Sequence, residues 1–383
     1  MAIEIGRRGK LYIKKELEYG ETLTAHDSTD ALRHINLAMT TDPFNRVTSP
    51  EKKSSPGAVT RFDRRVTAEL GTLEALLRPS GTLNTAPECD QVLEAAFGSK
   101  SSVTLSTTVE ASPSPSTTTA TVASAGTLAA GDAILITRNG VRYVRILTAV
   151  DSAALTWAPA LPSAPETGEA IKGCLTYKLT SALAISLAIA HYLDTFKRAL
   201  VGVGINSLGL TFDANEEPKF TASGPGKEQF TGAGVPNLPA AFTTVGANPP
   251  SGLVGDLLIN GTALPFKSLA LTLTNGLVVR NSEYGQSKAS ELYRADRRSL
   301  EVTLDTFAET EATLYDLAEA GSYPSIFKQT GRTEGNIVAL YLPKVDIKVP
   351  GTDDPDTEVS WSFTGTALET ADGANDEVRL VLA

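Results

Sequence analysis

A succession of strand, Asp-Arg-Arg, strand and short helix occurs twice in this chain, once on each side of a Gly/Pro/Asn-rich stretch from Gly232 to Gly255. Repetition on this scale marks a duplicated unit whose copies share one architecture. Asp63-Arg64-Arg65 opens Val66-Thr67-Ala68-Glu69-Leu70, and Asp296-Arg297-Arg298 opens Leu300-Glu301-Val302-Thr303-Leu304 after one extra residue. Ahead of each tripeptide lies a further alternating segment, Ile35 to Thr40 in one half and Ser268 to Leu273 in the other. Downstream, Leu200 to Phe212 followed by Lys219 to Ser223 corresponds to Ile337 to Val349 followed by Glu358 to Thr364. Five elements in one order favour internal duplication over its alternative, a generic run of β-hairpins.

Alternation of apolar and polar residues, as at Leu208, Leu210 and Phe212 or Leu269, Leu271 and Leu273, predicts half-buried strands. Short helices are expected at Cys89 to Phe97, between Pro87 and Gly98, and at Glu309 to Ala320, ended by Gly321. The fold class is therefore mainly β, with two tandem sandwich or barrel domains that each carry a short helix. The first copy is longer because of a segment that begins in a Ser/Thr/Pro tract and contains Asn139-Gly140 between two strand patterns, a strong hairpin signal. That segment predicts a small β-barrel inserted at a surface loop and displayed outward. The division expected is a first domain of residues 1–100 and 173–231, the insertion at 101–172, a linker at 232–255 and a second domain at 256–383.

With 383 residues and 42% apolar content the chain has enough material for a core in each unit. Its formal charge of −10 repels phosphate, which argues against tight nucleic-acid binding but suits a surface past which DNA slides. Cys89 and Cys174 have no Cys or His at metal-ligand spacing, and a bridge between them stays open. No export signal is expected at the amino terminus, and the most apolar run, Ser181 to Ala190, is too short to span a bilayer. A soluble protein with no membrane partner is the reading.

Motifs for chemistry are missing from the sequence. His26, His34 and His191 lie outside any catalytic pattern and read as structural residues. Gly224-Pro225-Gly226-Lys227 departs from a phosphate loop at Thr221 and Glu228 and reads as a turn. Asp353-Asp354-Pro355-Asp356 lacks the Gly and distal Glu of a calcium loop and reads as a solvated acidic turn. Asn260-Gly261-Thr262 likewise reads as a turn. No catalytic, cofactor-binding or metal residue is assigned, and a structural protein is expected in place of an enzyme.

Several words in the chain resemble the major tail tube proteins of long-tailed, siphovirus-like bacteriophages. They are Lys14-Lys15-Glu16-Leu17-Glu18-Tyr19-Gly20-Glu21-Thr22, Thr85-Ala86-Pro87-Glu88, Thr272-Leu273-Thr274-Asn275-Gly276-Leu277, the Asp-Arg-Arg opener, Tyr341-Leu342-Pro343-Lys344-Val345, Phe363-Thr364-Gly365-Thr366-Ala367-Leu368 and Asp376-Glu377-Val378-Arg379-Leu380. The resemblance implies β-sandwich tube domains flanked by a helix, six to a ring, stacked around a DNA channel. Two copies per chain then imply trimeric, pseudo-hexameric rings, with hexameric rings as the alternative. It further implies tape measure, tail terminator and baseplate proteins as partners, assembly in the host bacterial cytoplasm, and residence in the virion tail. Strand polarity names Thr67, Glu69, Glu301, Thr303 and Asp305 as lumen-facing candidates. The charged segments Thr41 to Ala58 and Asn281 to Ala295 supply inter-ring candidates, namely Arg46, Glu51, Lys52, Glu283, Lys288 and Glu291. Alternatives are a tail terminator, baseplate hub or decoration protein, or a tandem β-sandwich carbohydrate-binding module, against which the two Trp residues, Trp157 and Trp361, count.

Overall fold

The computed structural model describes residues 8–40, 46–51, 57, 61–64, 66–182, 185–194, 196–307, 311–350 and 360–383. Lys52, Arg65 and the acidic turn Asp353-Asp354-Pro355-Asp356 lie outside the described residues. The fold is mainly β with two short helices, Asp90–Phe97 and Glu311–Glu319.

An eight-stranded antiparallel sheet carries the duplication most plainly. Its order is Val345–Ile347, Ser360–Ala367, Ser299–Phe307, Phe266–Thr274, Ser207–Asp213, Lys219–Gly226, Ala68–Leu76 and Asn36–Met39. The first four strands come from the second half of the chain and the last four from the first half, each set in the same order. They meet at a seam in which Leu208 faces Leu273, Leu210 faces Leu271 and Phe212 faces Leu269. All six side chains are buried. Period-2 alternation explains why these segments form strands with one apolar face, and the apolar faces coincide across the seam because the register matches them.

Two further sheets cover that apolar face, and their strand orders also correspond. One runs Ala31–Leu32, Lys10–Lys15, Ser186–Leu193, Phe196–Gly204 and Glu228–Thr231. The other runs Thr262–Ala263, Gly255–Ile259, Ile326–Thr333, Asn336–Leu342 and Arg379–Leu382, then continues through Leu175–Leu179 and Gly98–Ser102. Strands that flank the insertion in the first half thus complete the sheet of the second half. A single apolar core joins all three sheets and the helices, with Leu73, Leu93, Phe212, Leu271, Leu304, Leu314 and Phe363 among its members. Gly98 ends the first helix in the left-handed region at φ 92°, a conformation that glycine adopts without steric cost.

Residues 106–173 form a six-stranded sheet ordered Ser106–Thr108, Ala170–Gly173, Ala133–Arg138, Val141–Asp151, Ala154–Ala158 and Thr119–Thr121. A bridge between Val109 and Val122 joins its two ends, so the sheet closes on itself around Ile134, Ile136, Leu147 and Trp157. Asn139 and Gly140 turn the central hairpin with both φ positive, as a two-residue turn between twisted strands requires. The barrel packs by Leu135, Val144 and Ile146 on Phe327, Ala339 and Val381, the face of the second sheet that points away from the main core. Gln329, with no exposed surface, secures the contact: its Oε1 accepts from Val144 N–H at 2.9 Å and its Nε2 donates to Arg142 O at 3.0 Å. On the corresponding face of the first sheet, the 232–255 stretch places Val235 and Phe242 against Tyr12 and Tyr192.

Gly224-Pro225-Gly226 belongs to strand Lys219–Gly226 and is no turn. A Cβ on Gly224 would lie 1.9 Å from Gly204 O, so the glycine marks a close backbone crossing at a bulge, with Gly224 facing Leu70. Asn260-Gly261 is the two-residue turn between Gly255–Ile259 and Thr262–Ala263, with φ of 48° and 81°. Cys89 and Cys174 are separate, buried free thiols, which burial pushes to higher pKa.

Lys328 is an unusual core residue, 2% exposed with its Nζ 4.3 Å from the Phe266 ring centroid. Burial pulls its pKa down from 10.5 to about 8, against the opposing pull of the Asp256 carboxylate. Between about 8 and 10.5 the unfolded chain holds this proton and the folded one does not, so stability rises with pH across that window. Below about 8 both states are charged and the folded state bears the whole cost of the buried cation. In thermal melts at pH 7 to 10.5 the difference between wild type and Lys328→Met is expected to show this rise, because the buried Cys89 and Cys174 thiols, common to both proteins, pull stability the other way at the alkaline end, and Lys328→Met is expected to melt higher than wild type at pH 7. A Lys328→Met profile parallel to wild type would contradict the assignment.

Candidate functional site

The face of the eight-stranded sheet turned away from the core is built from small hydroxyl residues, glycine, alanine and carboxylates. Along successive strands it presents Asn36 and Ala38, Glu69 and Glu74, Thr221 and Ser223, Thr211 and Asp213, Thr272, Glu301, Thr303 and Asp305, Ser362 and Thr364, and Asp346. These positions alternate with buried core residues on the same strands. The six carboxylates come from both halves of the chain. At one end of the face Lys219 pairs with Glu216 and Lys267 lies 4.6 Å from the Phe307 ring centroid, while Lys348, two residues after Asp346, and Arg297, two before Ser299, are exposed. Ser268 Oγ donates to Asp305 Oδ2 at 2.6 Å and holds that carboxylate in place.

Of the lumen-facing candidates, Glu69, Glu301, Thr303 and Asp305 lie on this face, and Thr67 is exposed just ahead of strand Ala68–Leu76. Sequence reasoning did not pick out Glu74, Asp213 and Asp346. The signal was available for Asp213, since it continues the polar set that alternates with Leu208, Leu210 and Phe212. For Glu74, a bulge between Ala38 and Met39 shifts the register along strand Ala68–Leu76, so simple alternation from Glu69 fails.

Among the described residues both ends of the sheet are open edges. Asn36–Met39 closes one side and Val345–Ile347 the other, each paired to a single neighbour. Leu37 stands opposite Leu73 as Leu269 stands opposite Leu304. Asn36–Met39 is thus the first half's counterpart of Phe266–Thr274, the strand that forms the seam. An exposed edge offers unpaired N–H and C=O groups to another strand.

Two hairpins rise from the ends of the sheet, Arg46–Thr48 with Arg61–Asp63 and Leu277–Arg280 with Glu291–Arg294. Arg46 and Glu51 are exposed on the first. On the second, Glu283 and Glu291 both face Arg280, at 2.7 and 3.5 Å, and Lys288 pairs with Glu228 of the first half at 2.6 Å. Tyr284 at its tip is fully exposed. Buried Asn275, at the root of this hairpin, donates from Nδ2 to Ala96 O at 2.8 Å and Ile205 O at 3.1 Å and ties the two halves together.

The second Asp-Arg-Arg word is a structural pin. Arg298 donates to Glu377 Oε1 at 2.6 Å and to Thr180 O at 3.3 Å. His34 and His191 stack edge to face at 5.4 Å, with Arg198 Nε 3.3 Å from His191 Nδ1. Burial, Arg198 and His34 together push His191 down to about 4, so its ring is neutral at ordinary pH. Among the described residues no group of three or more His, Cys, Asp or Glu is placed to hold a metal, and no helix is long and apolar enough to cross a membrane. The family model described as phage tail tube protein matches residues 6–365. No curated protein matches the chain.

Proposed function

This chain belongs to the phage tail tube protein family, a structural component of the virion tail, and on that premise we propose that it is the major tube subunit, which closes into rings that stack around the DNA. One observation supports this above the others. The seam inside the chain joins two half-sheets edge to edge, and among the described residues the same kind of edge is left open on each side of the molecule. Asn36–Met39 of one copy joins the edge that begins at Val345–Ile347 of the next, as Phe266–Thr274 joins Ser207–Asp213 within the chain. Three copies then close a barrel with pseudo-sixfold symmetry, which leaves no open edge. A barrel of this strand number leaves an aqueous channel, because 16 to 18 strands already do so in porins.

In this reading the tube units are residues 1–100 with 173–231 and 256–383, joined by 232–255. The carboxylate and hydroxyl face lines the channel, including Thr67, Glu69, Glu301, Thr303 and Asp305, and it repels phosphate without specific contacts. The barrel at 101–172 stands on the opposite side of the body, on the outer wall. Tape measure protein fills the channel before ejection, and terminator and baseplate proteins cap the ends. Beyond the hairpin strands, the charged segments that hold Glu51, Lys52, Glu283 and Glu291, with the exposed Tyr284, contact the next ring.

Electron microscopy of the purified full-length protein tests the proposal. Hollow filaments with three chains per ring are expected. A monomer that persists at every concentration would overturn it.

A further inference from the structure

The second hairpin is anchored in its own half of the chain by Arg294, whose Nε donates to Asn275 O at 3.1 Å. It leans onto the first half, where Ser287 O accepts from Val66 N–H at 2.9 Å and Lys288 pairs with Glu228 at 2.6 Å. Leu292, 6% exposed, seals the contact against Gly204, where a Cβ would come within 2.5 Å of the leucine. This hairpin therefore straps one unit to the other beside the seam.

The strap's seat has a counterpart on the second half. Leu70 faces Gly224 and Val302 faces Gly365 at equivalent points of the two half-sheets. Val66 lies four residues before Leu70 and Glu228 four after Gly224; Arg298 lies four before Val302 and Glu369 four after Gly365. Arg298 and Glu369 both line an open groove of about 740 Å³, together with Lys344, Thr366, Ala367 and Leu368. Among the described residues no hairpin fills on the second unit the seat that one fills on the first.

The first hairpin is the matching piece. Its strands pair only with each other among the described residues, and Phe62 keeps 49% of its surface exposed. We propose that the hairpin Arg46–Thr48/Arg61–Asp63 of one copy seats in the groove of a neighbouring copy of this chain, strapping subunits together as the second hairpin straps units within the chain. Phe62 lies over the Ala367 and Leu368 floor, and Arg61 with Glu369 repeats the basic–acidic pairing of Lys288 with Glu228. The strap rests on the ring reading above and assigns the first hairpin a lateral seat.

Two measurements on the full-length protein test it. A photo-cross-linking residue in place of Phe62, activated in assembled tubes, is expected to give adducts between chains at residues 294–299 and 366–372. Phe62→Glu is expected to leave the melting temperature unchanged, because the ring is half exposed in the monomer, and to raise the concentration needed for tube growth at least about tenfold. Adducts elsewhere in well-formed tubes, or Phe62→Glu tubes that grow at the wild-type concentration, would overturn the strap and leave the tube reading intact. Wild-type protein that never leaves the monomer would overturn both.

Discussion

Leu37→Asp is expected to abolish ring closure while leaving the monomer folded. In the chain Leu37 is only half-buried at the free edge, so an aspartate there reaches water and costs the monomer about 1–2 kcal/mol. Its counterpart Leu269 shows what a closed seam demands, since that residue has no exposed surface and faces Phe212 at 2%. A carboxylate at such a position loses the burial of a leucine, about 1.5–3 kcal/mol, and adds an unpaired charge that costs several kcal/mol more. In the proposed three-chain ring three seams multiply that penalty, and at 1.4 kcal/mol for each factor of ten the closed ring becomes undetectable at any practical concentration. Leu37→Met, similar in volume, is expected to retain rings. Sedimentation velocity and negative-stain images separate the cases, with a thermal melt to verify the fold. Rings of Leu37→Asp in normal yield would mean that this edge does not form the intersubunit seam.

The elements set by local periodicity were legible from the residues alone. Alternation located the seam strands, glycines located the helix ends to within one or two residues, and Asn139-Gly140 located the barrel hairpin. The duplication was legible as an order of elements, but its alignment was not. Leu70 and Val302 face the paired glycines, which makes Glu69 the counterpart of Glu301 and leaves the two Asp-Arg-Arg words one residue out of step. Pairings between distant strands left no local trace. Nothing in Leu175–Leu179 announces that it hydrogen-bonds to the carboxyl-terminal strand Arg379–Leu382. Gly224-Pro225-Gly226 misled for a related reason, because the carbonyl that requires its glycine belongs to Gly204, twenty residues away. The open groove was equally invisible, as it becomes meaningful only against the filled seat on the other unit.

If the polar face lines the channel as proposed, reversing its charge is expected to make the tube hold DNA that the wild type releases. Glu69→Lys, Glu301→Lys and Asp305→Lys together change each chain by six charges, all on one continuous face near the strands that meet at the seam. None of the three side chains is buried, and among the described residues the only side-chain hydrogen bond at stake, from Ser268 to Asp305, is worth about 1 kcal/mol, so folding and assembly should survive. Each lysine that meets a phosphate releases condensed counterions, with a slope of about −0.9 in log affinity per log salt for every contact. Tubes assembled with duplex DNA should therefore retain it at low salt, by several orders of magnitude over wild type, and lose it steeply as salt rises. Nuclease protection decides where the face lies. DNA held inside a channel is shielded along its length, whereas DNA bound to an outer wall is digested. Retained but nuclease-sensitive DNA would put this face on the outside of the tube, and the barrel and the 232–255 stretch, on the opposite side of the body, would then have to line the channel.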